Sequence, residues 1–129
     1  MAINVLVVDD SVVVRAMILK TLRVCDIDLG ETHQAANGQL GLDELSQHWI
    51  DLVFVDINMP VMNGEEMINK VRENPLWADL PIIVVSTEGS ETRIDRLMQK
   101  GAYFVHKPFA PEAVREILNK IIGVPNESN

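Results

Sequence analysis

Four short apolar runs, each followed by a polar residue and then by a helical pattern, limit what this chain can become more than any other feature. They are Ile3 to Val8, Leu52 to Val55, Ile82 to Val85 and Tyr103 to Val105. Rich in β-branched residues and without polar alternation, they read as strands buried on both faces. A weaker segment, Thr32 to Ala36, carries His33 and Gln34 and reads as a fifth strand nearer an edge. Helical stripes lie between: Val14, Met17, Ile18, Thr21 and Leu22; Leu42, Leu45 and Trp49; Met67, Ile68 and Val71; Ile94, Leu97 and Met98. The last comprises Val114, Ile117, Leu118, Ile121 and Ile122, behind Pro111. Strand and helix alternating in this way call for a parallel sheet with helices on both faces, a doubly wound α/β fold.

At 129 residues the chain holds one ordinary domain, expected over residues 1–123, with 124–129 a short tail and no output domain. A net charge of −8 argues against nucleic acid and anionic membranes as partners. No run approaches the ~18 apolar residues of a membrane helix, and Asp9 and Asp10 interrupt the only N-terminal apolar stretch, so the expected location is cytoplasmic. The lone Cys25 reads as a small, partly buried apolar residue. His33, His48 and His106 fall on separate elements and read as surface or edge residues rather than ligands; Trp49 and Trp77 read as packing residues.

In doubly wound sheets ligands bind beyond the carboxyl ends of the strands. The residues there are Asp9, Asp10 and Ser11, then Asp56, then Ser86 and Thr87, then Lys107. Three converging carboxylates repel one another unless a cation shares the site. Oxygen-only ligands, with Cys and clustered His absent, suit Mg²⁺ better than zinc. A carboxylate beside such an ion, with a lysine and a hydroxyl to receive phosphoryl oxygens, can attack phosphorus and hold an acyl phosphate. Asp56, alone at the end of the most apolar strand, is the natural nucleophile. Taken singly, each piece has a plainer reading: Asp9-Asp10-Ser11 as a helix cap, Asp56 as a solvated turn residue, Lys107-Pro108 as an ordinary turn.

Together, Asp9-Asp10, Asp56 with Met59-Pro60 and Gly64 after it, Ser86, and Lys107-Pro108-Phe109 resemble the receiver signature of two-component signalling, over essentially the whole chain. The resemblance is to CheY-like, single-domain response regulators. It implies the strand order 2-1-3-4-5 and a phosphoryl group passed from a sensor histidine kinase or histidine phosphotransfer protein to Asp56. It further implies Mg²⁺ (or Mn²⁺) held by Asp10, Asp56 and the Asn58 backbone carbonyl with Asp9 in support, and Lys107 neutralising phosphoryl oxygens. Ser86 and Phe104 take the switch positions, Asn58 and Glu88 those that set phosphate lifetime, here expected to be short. A cis Lys107–Pro108 bond, self-phosphorylation from small phosphodonors, autodephosphorylation and output through the face of the fourth helix, fifth strand and last helix are also implied. Chemotaxis, a phosphorelay shuttle and a phosphate sink all remain open as pathways. Thr87 departs from the small residue usual there and offers a second hydroxyl beside Ser86.

Rivals of other classes fit less well. A dehalogenase-like aspartyl-phosphate phosphatase needs its nucleophile after the first strand in an Asp-x-Asp pattern. A flavin mononucleotide binder needs a Gly/Ser/Thr-rich first loop. A phosphorylation-independent binding module leaves the full set of chemical residues without a use.

Overall fold

The computed structural model describes residues 2–25, 27–87 and 89–122. Glu88, the 124–129 tail and the inward-facing reading of the Ile122 side chain lie outside the described set. The elements run β1 (Ile3–Val8), α1 (Val12–Val24), β2 (Leu29–Ala35), α2 (Gly38–Gln47), β3 (Leu52–Val55), α3 (Gly64–Glu73), β4 (Ile82–Ser86), α4 (Glu91–Gln99), β5 (Ala102–His106) and α5 (Pro111–Ile122), with a 3₁₀ turn at Pro75–Trp77. All strand pairs are parallel, in the order β2-β1-β3-β4-β5.

The apolar runs lack alternation because each face of the sheet meets helices. Val5, Val7, Leu52, Phe54, Ile83 and Val85 pack toward Ile18, Leu19 and Leu22 of α1 and Val114 and Leu118 of α5. Leu6, Val8, Val53, Val55, Ile82 and Val84 face Leu45, Met67, Ile68, Val71 and Leu97 of α2, α3 and α4. Each large side chain so buried contributes roughly 1.5–3 kcal/mol.

Several expectations shift. β2 starts three residues before Thr32, at Leu29, because Asn4 supports it there: the Glu31 N–H donates to Asn4 Oδ1 at 2.8 Å, beside an irregular register between Ile3 and Val5. Leu19, not Met17, completes the α1 face, and Met17 is exposed. Met98 is exposed on α4 for the same reason, a small error in helical phase. Trp49 lies beyond the α2 C-cap His48 and is 78% exposed, so it packs no core, whereas Trp77 rests against the α3 side. Among the described residues no helix is long and apolar enough to cross a membrane.

Two cationic arrangements fasten α3. At its C-terminal end Arg72 donates to the carbonyls of Trp77 (3.0 Å), Leu80 (2.8 Å) and Lys100 (2.8 Å). In its first turn Glu65 accepts from Arg96 at 2.7 Å and from Lys100 at 3.4 Å. The Arg96 hydrogen bond, helped by Lys100, holds the Glu65 carboxyl at about 2, below its ordinary 4.5. The folded chain therefore binds this proton less tightly than the unfolded chain. The stabilisation is complete above about 4.5 and is lost as pH falls toward about 2. Glu65→Gln is expected to flatten the acid limb of a Tm-against-pH curve in that window; an acid limb identical to that of the parent would show the α3–α4 contact to be energetically silent.

Candidate functional site

The hydrogen-bond ladders run one residue past the strands and bring the key residues into line. Asp9 N–H donates to Ala35 O (3.0 Å), Asp56 N–H to Val8 O (3.0 Å) and Lys107 N–H to Ser86 O (2.9 Å). β1 and β3 are neighbours, so Asp9 and Asp56 end adjacent strands where the sheet changes winding direction. Side-chain caps then start the helices: Ser11 for α1, Asn37 for α2, Asn63 in a capping box with Glu66 for α3, and Ser90 for α4. The capping reading of the Asp9-Asp10-Ser11 segment is thus correct for Ser11 alone.

Carboxylate oxygens of Asp9, Asp10 and Asp56 lie within 4.8 Å of one another. Asp9 and Asp56 are buried, at 1% and 7% exposure, while Asp10 is exposed. Lys107 Nζ stands 3.3 Å from Asp9 Oδ2 and 3.6 Å from Asp56 Oδ2. Asp56 Oδ1 accepts from its neighbour's Ile57 N–H at 2.8 Å, which leaves Oδ2 on the side of the lysine. Burial pushes the Asp9 carboxyl above its ordinary range and the Asp56 charge adds to this; the Ser11 N–H and Lys107 oppose it. An all-oxygen cluster of this charge, met among the described residues by the Lys107 ammonium, has the donor set that a hard divalent cation takes.

Ser86 is fully buried at the end of β4 and Thr87 beside it is exposed. Phe104 is half-buried on β5 and meets His106 edge to face, with ring centroids 4.7 Å apart. Asn58 is exposed. The Lys107–Pro108 bond is cis.

Two features escape sequence reading. Arg15, which looks like a solvated helix residue, donates to the Asp9 carbonyl and to Gln34 Oε1 (2.9 Å), placing a cation beside the acidic loop. His33 and His48, read as scattered, stack with ring centroids 4.0 Å apart. The cause is tertiary: β2 and the end of α2 meet, and no local signal reports it.

Residues 5–119 match the response regulator receiver domain family, and the chain belongs to it. Its relatives include both chemotaxis proteins and plant two-component response regulators, such as ARR3 of Arabidopsis thaliana, 33% identical over 98% of this chain and 60% of its own length. A chemotaxis protein CheY homolog of Campylobacter jejuni is 34% identical over 93% of this chain and 92% of its own length. The structure of chemotaxis protein CheY4 of Vibrio cholerae superposes with a TM-score of 0.81 at 32% identity, covering 94% of this chain and 99% of that one. CheY in a CheX-CheY-BeF3-Mg²⁺ complex from Borrelia burgdorferi gives a TM-score of 0.84 at 27% identity, covering 93% of this chain and 89% of that one. The chain is a CheY-like receiver domain of two-component signalling.

Proposed function

We propose that this receiver domain, residues 1–123, takes a phosphoryl group from the phosphohistidine of a sensor kinase or phosphotransfer protein onto Asp56. The observation that carries the reading is the placement of the Lys107 ammonium against both Asp9 and Asp56 in a pocket of three carboxylates. An Asp56 oxygen forms the new bond to phosphorus as the bond to the donor nitrogen breaks, and the electron pair leaves with the imidazole. Lys107 receives the negative charge of the phosphoryl oxygens. Asp10 and Asp56, with the Asn58 carbonyl and Asp9 in support, would hold Mg²⁺, which supplies charge neutralisation between the carboxylates and the incoming phosphoryl group. The Borrelia relative, whose structure includes Mg²⁺, supports this assignment.

The signal then leaves by a change of shape. Ser86, buried at the end of β4, donates to the phosphoryl group, and half-buried Phe104 repacks, altering the surface of α4, β5 and α5 that a protein target reads. The domain works in the cytoplasm as a switch that also phosphorylates itself from small phosphodonors and dephosphorylates itself, with Asn58 and Glu88 setting a short lifetime. Names of its relatives favour chemotaxis as the pathway.

Intact-mass measurement with acetyl phosphate and Mg²⁺ tests the reading. The expected result is a single phosphoryl adduct that needs Mg²⁺ and is absent from Asp56→Asn. An adduct that persists in Asp56→Asn, or none in the parent chain, would reject Asp56 as the acceptor.

A further inference from the structure

On the side of the sheet away from the lysine, the edge strand β2 and the end of α2 bring together four side chains that phosphoryl transfer does not use. His33 Nε2 lies 3.0 Å from Glu31 Oε1, and His33 Nδ1 lies 3.3 Å from Glu44 Oε1. His48, the C-cap of α2, stacks on His33 at 4.0 Å with the rings 24° apart, and its Nε2 is 3.8 Å from the same Glu44 oxygen. One ligand atom each from Glu31, His33 and His48 falls within a 4.8 Å span.

We propose that Glu31, His33 and His48 form a second metal site, for a borderline-soft divalent ion of which zinc is the type, with Glu44 as the carboxylate that orients His33. Two imidazoles and a carboxylate are a ligand set that zinc accepts with a fourth position left for water. Bonds of about 2.0–2.2 Å put tetrahedral ligands roughly 3.4 Å apart, near the present span, and binding requires the exposed His48 ring to turn out of its stack on His33 so that both ring planes meet at the ion. With Nε2 on the metal, the His33 proton resides on Nδ1 and donates to Glu44, the carboxylate–histidine pairing that fixes the tautomer of metal-binding imidazoles. The site is partly organised in advance: the His33 side chain is only 17% exposed, and the Glu31 N–H is tied to Asn4. Its nitrogen ligands separate it from the aspartate pocket, whose oxygens suit Mg²⁺. An ion there clips the outermost strand to α2.

The alternative is a protonated His33 bridging two carboxylates with no affinity for metal. Equilibrium dialysis of the full chain against Zn²⁺ in excess Mg²⁺, with metal content read by mass spectrometry, decides between them. The parent chain is expected to retain a single zinc ion. His48→Ala and Glu31→Gln are each expected to weaken its binding about tenfold or more, since even outer residues of a metal site cost ~10- to 100-fold. His106→Ala is the control and should bind as the parent does. Co²⁺ in place of Zn²⁺ should give the intense visible absorption of a low-coordinate nitrogen-containing site, lost in His33→Ala. Acetyl phosphate labelling of Asp56 in the variants should match the parent, which separates this site from the phosphoacceptor chemistry. No zinc retained by the parent, or equal retention by parent and variants, would overturn the proposal.

Discussion

Gly64→Ala is expected to unsettle both the fold and the phosphoacceptor loop, with a loss of about 2–3 kcal/mol from overpacking and a fall of roughly 10 °C in Tm. A Cβ at Gly64 would stand 2.2 Å from the Asp56 carbonyl oxygen and 3.0 Å from the Asp56 carbonyl carbon and Ile57 Cα. These are backbone atoms, so no rotamer change relieves the contact. The Gly64 N–H also donates to Ile57 O at 2.8 Å, so withdrawing α3 to make room breaks the bond that returns the chain from β3. Asp56 is carried on the same peptide, and a shift of about 1 Å in a reacting group can cost ~10²-fold in rate. Phosphorylation from acetyl phosphate should therefore slow by about tenfold or more. Thermal melting with timed intact-mass measurement checks both effects, and a Tm within about 2 °C of the parent would show that the turn relaxes without cost.

Lys107→Ala is expected to produce the second large effect, and one that magnesium reverses in part. The ammonium faces Asp9 and Asp56, which are buried, with Asp10 beside them. Breaking a fully buried pair costs about 3–5 kcal/mol, and with the lysine side chain 23% exposed the expected loss is about 1–3 kcal/mol. Asp9 is already held above its ordinary range by burial, and removal of the lysine pushes it further the same way. An acid raised in the folded state favours folding as it takes up its proton, so the gap between variant and parent should be widest at neutral pH and narrow on acidification. Added Mg²⁺ should raise the Tm of the variant more than that of the parent. The variant should nevertheless accept phosphoryl groups more slowly by ~10²-fold or more, since the ion does not replace the lysine's contact with the phosphoryl oxygens. Equal magnesium responses in the two proteins would argue that the lysine and the ion do not share the same charge.

The strands that carry the site are legible because burial on both faces gives them unbroken apolar sequence, and a charged residue straight after such a run can only lie at a strand end. Asp9 and Asp56 announce themselves in that way, Lys107 does so one residue further on, past His106, and the polar Ser86 marks the end of β4. β2 is harder to see. Leu29 and Gly30 are half covered and Glu31 exposed on an edge, and they are held as a strand by Ile3 and Asn4, far away in sequence. Met17 and Met98 mislead because a stripe counted a single position out of phase still looks periodic. Trp49 misleads because the helix ends before it, at a histidine whose capping role has no strong sequence signal. The His33–His48 stack and the Arg15 contact are invisible for a related reason: each joins a helix to the edge strand, and neither partner is apolar. Glu65 and its basic partners on α4 likewise resemble an ordinary solvated surface until the two helices are placed side by side.

Arg72 gives the sheet a fulcrum. By gathering carbonyls from the segments just before β4 and β5, it pins the amino ends of those strands to α3, far from Asp56. At the carboxyl ends the ties are those of the site itself: the Lys107 N–H is bonded to the Ser86 carbonyl, and the Lys107 ammonium faces Asp9 and Asp56. β4 is five residues long, about 17 Å at ~3.3 Å per residue, so a tilt of about 3° about the pinned end moves its tip by about 1 Å. Held at that end, the strand has the geometry of a lever arm, with its least travel at Arg72 and its greatest at the chemistry, while α4 is tied to α3 through both Arg96 and Lys100.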